Sequence, residues 1–234
     1  MSKKPFRSPV VVIDALGIAE HELILLADKL DAQYHQFKLR IPNSIVVDTK
    51  TDIRGSSEFS SLRMNDMFIV YSENEMPDIS LRYMVTSSIL YQQLLINGFI
   101  PRGGLGVGLV YKRNDLLLGD GFINAYHAAE KRGDQYKDIC AIQVSLKFFQ
   151  SVPSSERAYR LLCWYEGRYF INPICLHDPD IGKFDRVRVL RCLEQAGTNE
   201  RKLRATEKFL NEYEDYDQAM KPGSKIRQLT GWQP

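Results

Sequence analysis

No stretch of this sequence approaches the ~18 consecutive apolar residues of a membrane span, and the basic start MSKKPFRSP leads into an apolar run too short for a secretory signal. The expectation is a cytoplasmic protein with no membrane partner. An excess of one charge is also lacking, because 31 Lys and Arg balance 29 Asp and Glu to a net +2, which gives no global basis for binding nucleic acid. Anionic ligands must therefore be held locally. Cysteine is sparse: Cys140, Cys163, Cys175 and Cys192 form no CxxC pair and no compact metal-ligand spacing, and read as buried thiols in a reducing compartment. Internal repeats, low-complexity tracts and Pro/Gly-rich linkers are absent as well. What remains is a chain of 234 residues, long enough to bury a substantial core without covalent staples.

The apolar pattern alternates between strand and helix. Val10–Ile13 reads as a buried strand ending on Asp14, and beyond Gly17 the residues Ile18, Leu23, Leu26, Leu30 and Tyr34 recur near helical spacing. SIVVDTKTDIRGSSEF reads as a strand running into a polar, turn-rich segment, and SLRMNDMFIVYSE as two short strands hinged at Asn65-Asp66. A helix is predicted across DISLRYMVTSSILYQQLLING, with Asp78 or Ser80 as N-cap and Gly98 as its stop. The glycines of the following strand, FIPRGGLGVGLVY, imply that another chain segment or a ligand approaches closely. After a turn at KRND and an apolar LLLG, GFINAYHAAEKRG reads as a helix ending near Gly133, and DICAIQVS and RLLCWYEGRYFI as later strands. This order gives an α/β sandwich with a mixed sheet. Residues 1–185 are expected to form the catalytic-size domain and residues 186–234 a charged, helix-prone extension, packed or partner-facing.

Asp14 and Asp66 become neighbours if their strands pair. Two convergent carboxylates suit hard divalent cations, and Mg²⁺ or Mn²⁺ held by one or two carboxylates plus phosphate oxygens is the usual arrangement for a nucleoside triphosphate. The turn after Asp14 would then offer the backbone N–H groups of Gly17 and Ile18 to the phosphates. Each residue also has a plainer reading. Asp14 serves equally as an N-cap, Asn65-Asp66 as a turn dipeptide, and Arg102 as half of a surface ion pair.

The ordered set VIDALG, RMNDMFIVY, PRGGLGVGLVY and GDGFINAYHAAEKRG resembles the catalytic domain of class III nucleotidyl (adenylate/guanylate) cyclases, over roughly Val10 to Ser145. The resemblance implies a mixed, mainly antiparallel sheet flanked by helices. It implies that Asp14, the Ala15 carbonyl and Asp66 bind two Mn²⁺ or Mg²⁺ ions, with Asn65 standing where the family has glycine. Arg102 falls where an arginine contacts the triphosphate, and Asn124 where an asparagine positions the ribose. A transition-state arginine four residues further on is replaced by Ala128, and His127, Lys131 or Arg132 is left to supply that charge. Of these, Lys131 is taken as the substrate-binding candidate, although a histidine in a helix is often structural and Lys131 and Arg132 also suit a helix C-terminus. In the family the metal ligands and the ribose-binding helix come from different subunits, so a homodimer with sites at its interface is implied.

The positions at which purine-specific members read the base align with Leu62 and Leu117. A site without those polar groups lacks the usual means of rejecting the wrong base. Together with the overall texture, this resembles the pyrimidine cyclases of bacterial Pycsar anti-phage systems. It implies conversion of UTP, or less favourably CTP, to the 3′,5′-cyclic monophosphate and pyrophosphate, as a defence signal. Two other readings stand beside it: a purine cyclase with non-standard base contacts, and a catalytically inactive cyclase fold used as a binding module. No GGDEF-like hairpin suggests a diguanylate cyclase.

Overall fold

The computed structural model describes residues 4–16, 28, 31–32, 45–47, 51–53, 59–64, 66–72, 79–113, 116–176 and 184–221. Of the predicted helix after Gly17 only residues 28 and 31–32 are described, all of them helical, and the N-cap candidate Asp78 lies outside the described residues. An eight-stranded mixed sheet organises the fold. Its path begins with β4 (Ser60–Met64), β5 (Met67–Tyr71), β1 (Phe6–Leu16) and β6 (Ile100–Arg113), all antiparallel neighbours. It continues through β8 (Ile142–Val144), parallel to β6, then β10 (Arg168–Ile171) and β9 (Leu162–Tyr165), both antiparallel. β7 (Leu116–Leu118) folds back on the end of β6, while β2 (Ile45–Val47) and β3 (Thr51–Ile53) form a separate ribbon.

β1 extends well beyond Val10–Ile13 because β6 pairs with it from Phe6 to Leu16. Asp14 therefore lies inside a strand, opposite Met67 on one side and Arg102 on the other, rather than just past its end. RLLCWYEGRYFI is a hairpin, β9–β10, turned by Glu166 (φ 45°) and Gly167 (φ 90°), the two positive φ angles a tight primed turn demands.

Alternation along β1 divides the core. Val11, Ile13 and Ala15, with Phe68, Val70, Leu105 and Val107, face helix α1 (Ile79–Ile96), which Gly98 terminates at φ 81°. Val10 and Val12, with Ile69, Tyr71 and Val110, meet Ala125 and Ala129 of helix α2 (Asp120–Glu130). The glycines of β6 serve this second contact. A Cβ on Gly104 would sit 2.5 Å from Ala129 N, one on Gly106 2.9 Å from Ala125 Cα, and one on Gly108 2.6 Å from Asp120 Oδ1. The close neighbour these glycines require is thus helix α2.

The later helices are α3 (Leu146–Phe149), α4 (Glu156–Tyr159), α5 (Arg186–Gln195), α6 (Glu200–Glu212) and α7 (Tyr216–Ala219). Asp185 and Asn199 cap α5 and α6 by accepting hydrogen bonds from Arg188 N and Lys202 N. Val189, Leu193, Phe209, Leu210 and Tyr213 join the core that also contains α1. Thr206 Oγ1 accepts a hydrogen bond from Cys140 N at 2.9 Å, and residue 214 pairs with Trp164 of β9. Helices α5 and α6 thus share the main core.

Candidate functional site

Antiparallel pairing of β1 with β5 brings Asp14 and Asp66 together, as the sequence reading requires. Asp66 occupies the turn between β4 and β5, and its carbonyl accepts a hydrogen bond from Ala15 N at 3.0 Å. Asp14 is 7% exposed. Burial, then the neighbouring Asp66 charge, push its carboxyl up to about 7, against the opposing pull of the Arg102 guanidinium. Its Oδ1 is buried with no hydrogen-bond partner among the described residues. When Asp14 carries a proton, the two carboxyls can share it; ionised, they form a concentration of negative charge that calls for a cation.

Arg102, opposite Asp14 on β6, already supplies one. Its Nη2 lies 3.5 Å from Asp14 Oδ2 and donates to both oxygens of Glu130, at 2.8 and 2.7 Å. Nη1 donates to the Lys137 carbonyl at 3.3 Å, whereas Nε is buried without a partner among the described residues. Glu130 was not among the residues singled out from the sequence. A signal was present: a carboxylate in the last turn of a helix opposes the helix dipole and needs a cation nearby.

α2 runs antiparallel to β6, with Asp120 beside Gly108 and Ala129 beside Gly104. Asn124 accordingly lies near Gly106, and its Nδ2 donates to the Val107 carbonyl at 3.1 Å. Four strand residues, about 13 Å at the usual rise, separate that level from Arg102 and Asp14. Asn124 and the carboxylate pair are therefore not brought together within one chain. Lys131, by contrast, follows Glu130 at the C-cap of α2 and is exposed. Gly17, Ile18 and Asn65 lie outside the described residues.

The candidates for the missing transition-state charge fall differently. Ala128 is buried, where α2 crosses Gly104. Arg132 is 1% exposed and entirely engaged with backbone carbonyls: Nε with Ala128 at 3.0 Å, Nη1 with Ile139 at 2.8 Å, and Nη2 with Ala141 at 2.6 Å and with Gly103. Arg132 is a structural clamp, which removes it from the candidates. His127 and Lys131 remain exposed. Leu62 and Leu117 both belong to the apolar cluster under α2 and offer no polar group to a base.

Among the described residues, no group of three or more His, Cys, Asp and Glu could hold a metal ion. Two carboxylates with an unpartnered oxygen nonetheless fit a divalent cation that completes its shell from substrate phosphates and water. The cysteines form no disulfide, and burial pushes all four thiols up, leaving them unreactive packing groups. Among the described residues no helix is long and apolar enough to cross a membrane. No protein-family model matches the chain, and no curated protein matches it significantly in sequence.

Proposed function

We propose that the chain is a nucleotidyl cyclase that converts UTP, less favourably CTP, to its 3′,5′-cyclic monophosphate and pyrophosphate. The observation that carries this reading is the pairing of Asp14, on β1, with Asp66, in the turn that leads into the neighbouring β5, with an arginine at hand for phosphate. Asp14, the Ala15 carbonyl and Asp66 would hold two Mn²⁺ or Mg²⁺ ions. Bound there, such ions lower the pKa of the attacking 3′-hydroxyl and neutralise the phosphates. Arg102 grips the triphosphate, with Lys131 alongside; the N–H groups of Gly17 and Ile18, offered to the phosphates on the sequence reading, lie outside the described residues. Asn124 orients the ribose. The chemistry needs little more than alignment and charge neutralisation.

The distance between Asn124 and Asp14 within one chain supports a homodimer in which each site takes its ribose contact from Asn124 of the partner subunit. Leu109 (56% exposed), Leu116, Leu118 and Ile123 gather around the β6–β7 hairpin and α2 and offer the apolar surface for it. Leucines at the base-reading positions lack the polar groups with which purine cyclases recognise their base, and the pyrimidine assignment, like the role as a cytoplasmic anti-phage signal, rests on the resemblance to the Pycsar cyclases. Without nucleic acid or a membrane as partner, the product itself carries the message. The test is incubation of the purified protein with UTP and Mn²⁺. Release of cUMP and pyrophosphate, lost in Asp66→Asn, supports the reading; no turnover in any condition rejects it.

Ala128 in the helix–sheet seam, and Arg132 tied to carbonyls, favour a second reading: a cyclase fold that binds nucleotide without turning it over. Saturable UTP binding by calorimetry, with no product after prolonged incubation, distinguishes this alternative.

A further inference from the structure

Arg102 meets Glu130 through a single nitrogen. A guanidinium normally meets a carboxylate with two nitrogens in parallel, but here Nη2 alone serves both Glu130 oxygens, Nη1 turns to the Lys137 carbonyl, and Nε is buried with no partner among the described residues. The frame around this pair is fixed. Arg132 ties Gly103, adjacent to Arg102, to Ala128, one half-turn before Glu130, and to Ile139 and Ala141 of the connection that supplies the Lys137 carbonyl. With the backbones locked, any change of partner at Arg102 is a matter of side chains only.

We propose that Glu130 is a positioning residue that competes with substrate phosphate for Arg102, holding the guanidinium against Asp14 in the resting site and yielding it when a polyphosphate arrives. The inference rests on the reading of Arg102 as the phosphate contact. A carboxylate and a phosphate oxygen demand the same N–H donors, and the end-on grip leaves donor capacity that a phosphate, with oxygens spread over three directions, can use more fully. Glu130 thereby makes phosphate binding conditional: only a ligand with enough charge to outcompete it draws Arg102 across. Triphosphates satisfy this condition better than mono- or diphosphates.

The experiment is calorimetric titration of inorganic tripolyphosphate into the full chain and into Glu130→Gln, Arg102→Gln and the double variant, at low and at 0.3 M salt. Thermal melts of each variant establish that it is folded, and Glu130→Asp, which retains the charge, is the conservative control. If Glu130 sequesters Arg102 about nine-tenths of the time, Glu130→Gln binds tripolyphosphate about tenfold more tightly. That gain disappears in the double variant, and Glu130→Asp stays near the parent. Affinity in Glu130→Gln that is unchanged or weaker overturns the competition and leaves Arg102 a phosphate contact. A different result, full binding in Arg102→Gln, overturns the phosphate reading of Arg102 and this proposal with it.

Discussion

Replacing Asp14 by asparagine should stabilise the protein while removing a carboxylate from the proposed metal site. The carboxyl is pushed up to about 7 by burial and by Asp66, from an ordinary 3.8, so the folded protein retains a proton that the unfolded chain gives up. Stability associated with this group is fully present below about pH 4. It declines as pH rises from there to about 7 and then levels off, because above pH 7 both states are ionised and the folded one bears the cost of a buried charge. At 1.36 kcal/mol for each tenfold change, the ceiling is about 4 kcal/mol. Solvent screening on the open side of the site reduces the expectation to about 1–2 kcal/mol. Asparagine keeps the shape and discards that cost. For a chain of this size the gain corresponds to a melting temperature about 3–6 °C higher at pH 8, shrinking to nothing near pH 4. Scanning calorimetry of the two proteins side by side between pH 4 and 8.5, with EDTA, measures it. Carboxylates remote from Asp14 contribute equally to both proteins and cancel in the difference. A variant less stable than the parent at pH 8, or a difference independent of pH, refutes the argument that Asp14 is a strained, cation-seeking carboxylate.

Other perturbations probe the frame and the assembly. Gly106→Ala sets a Cβ against Ala125 at 2.9 Å from its Cα, and should destabilise the fold by at least about 1–3 kcal/mol in a urea titration. Arg132→Met orphans the carbonyls of Ala128, Ile139, Gly103 and Ala141; a loss of about 3 kcal/mol or more is expected, and Arg132→Lys, lacking the planar fork, should not restore it. If the proposed homodimer forms through this surface, Leu118→Lys, on the exposed side of β7, should yield a monomer in light scattering where the parent gives a dimer, with circular dichroism unchanged. Mixing the inactive variants Asp66→Asn and Asn124→Ala should restore about a quarter of the parental turnover, because half the dimers are mixed and each of those has one intact site.

Local pattern carried much of this fold. The helix over Ile79–Ile96 with its Gly98 stop and the hairpin around Asp66 were legible, because apolar periodicity and turn residues act over short range, whereas the adjacency of Asp14 to that hairpin was conditional on a strand pairing that only the fold supplies. Glycines in β6 announced a close neighbour but could not say which, since a helix and a phosphate make the same demand on backbone space. The reach of β1 to Leu16 depended on pairing with β6, a partner some ninety residues away in sequence. Arg132 was unreadable for a related reason. In sequence it is an ordinary cation after a helix, and only the return of Gly103, Ile139 and Ala141 around it turns it into a buried clamp. Glu130 fell between these cases: its mismatch with the helix dipole was visible, but its partner Arg102 was not.

The most direct measurement is a one-pot competition. Equimolar ATP, GTP, CTP and UTP are incubated with the protein and Mn²⁺, and all cyclic monophosphates are quantified together by mass spectrometry, so that product ratios report relative kcat/KM. cUMP should dominate, with cCMP a minor product, and both should vanish in Asp66→Asn. A purine product in excess would keep the carboxylate site and contradict the pyrimidine assignment. Absence of any cyclic product would contradict the central claim that Asp14 and Asp66 support cyclisation.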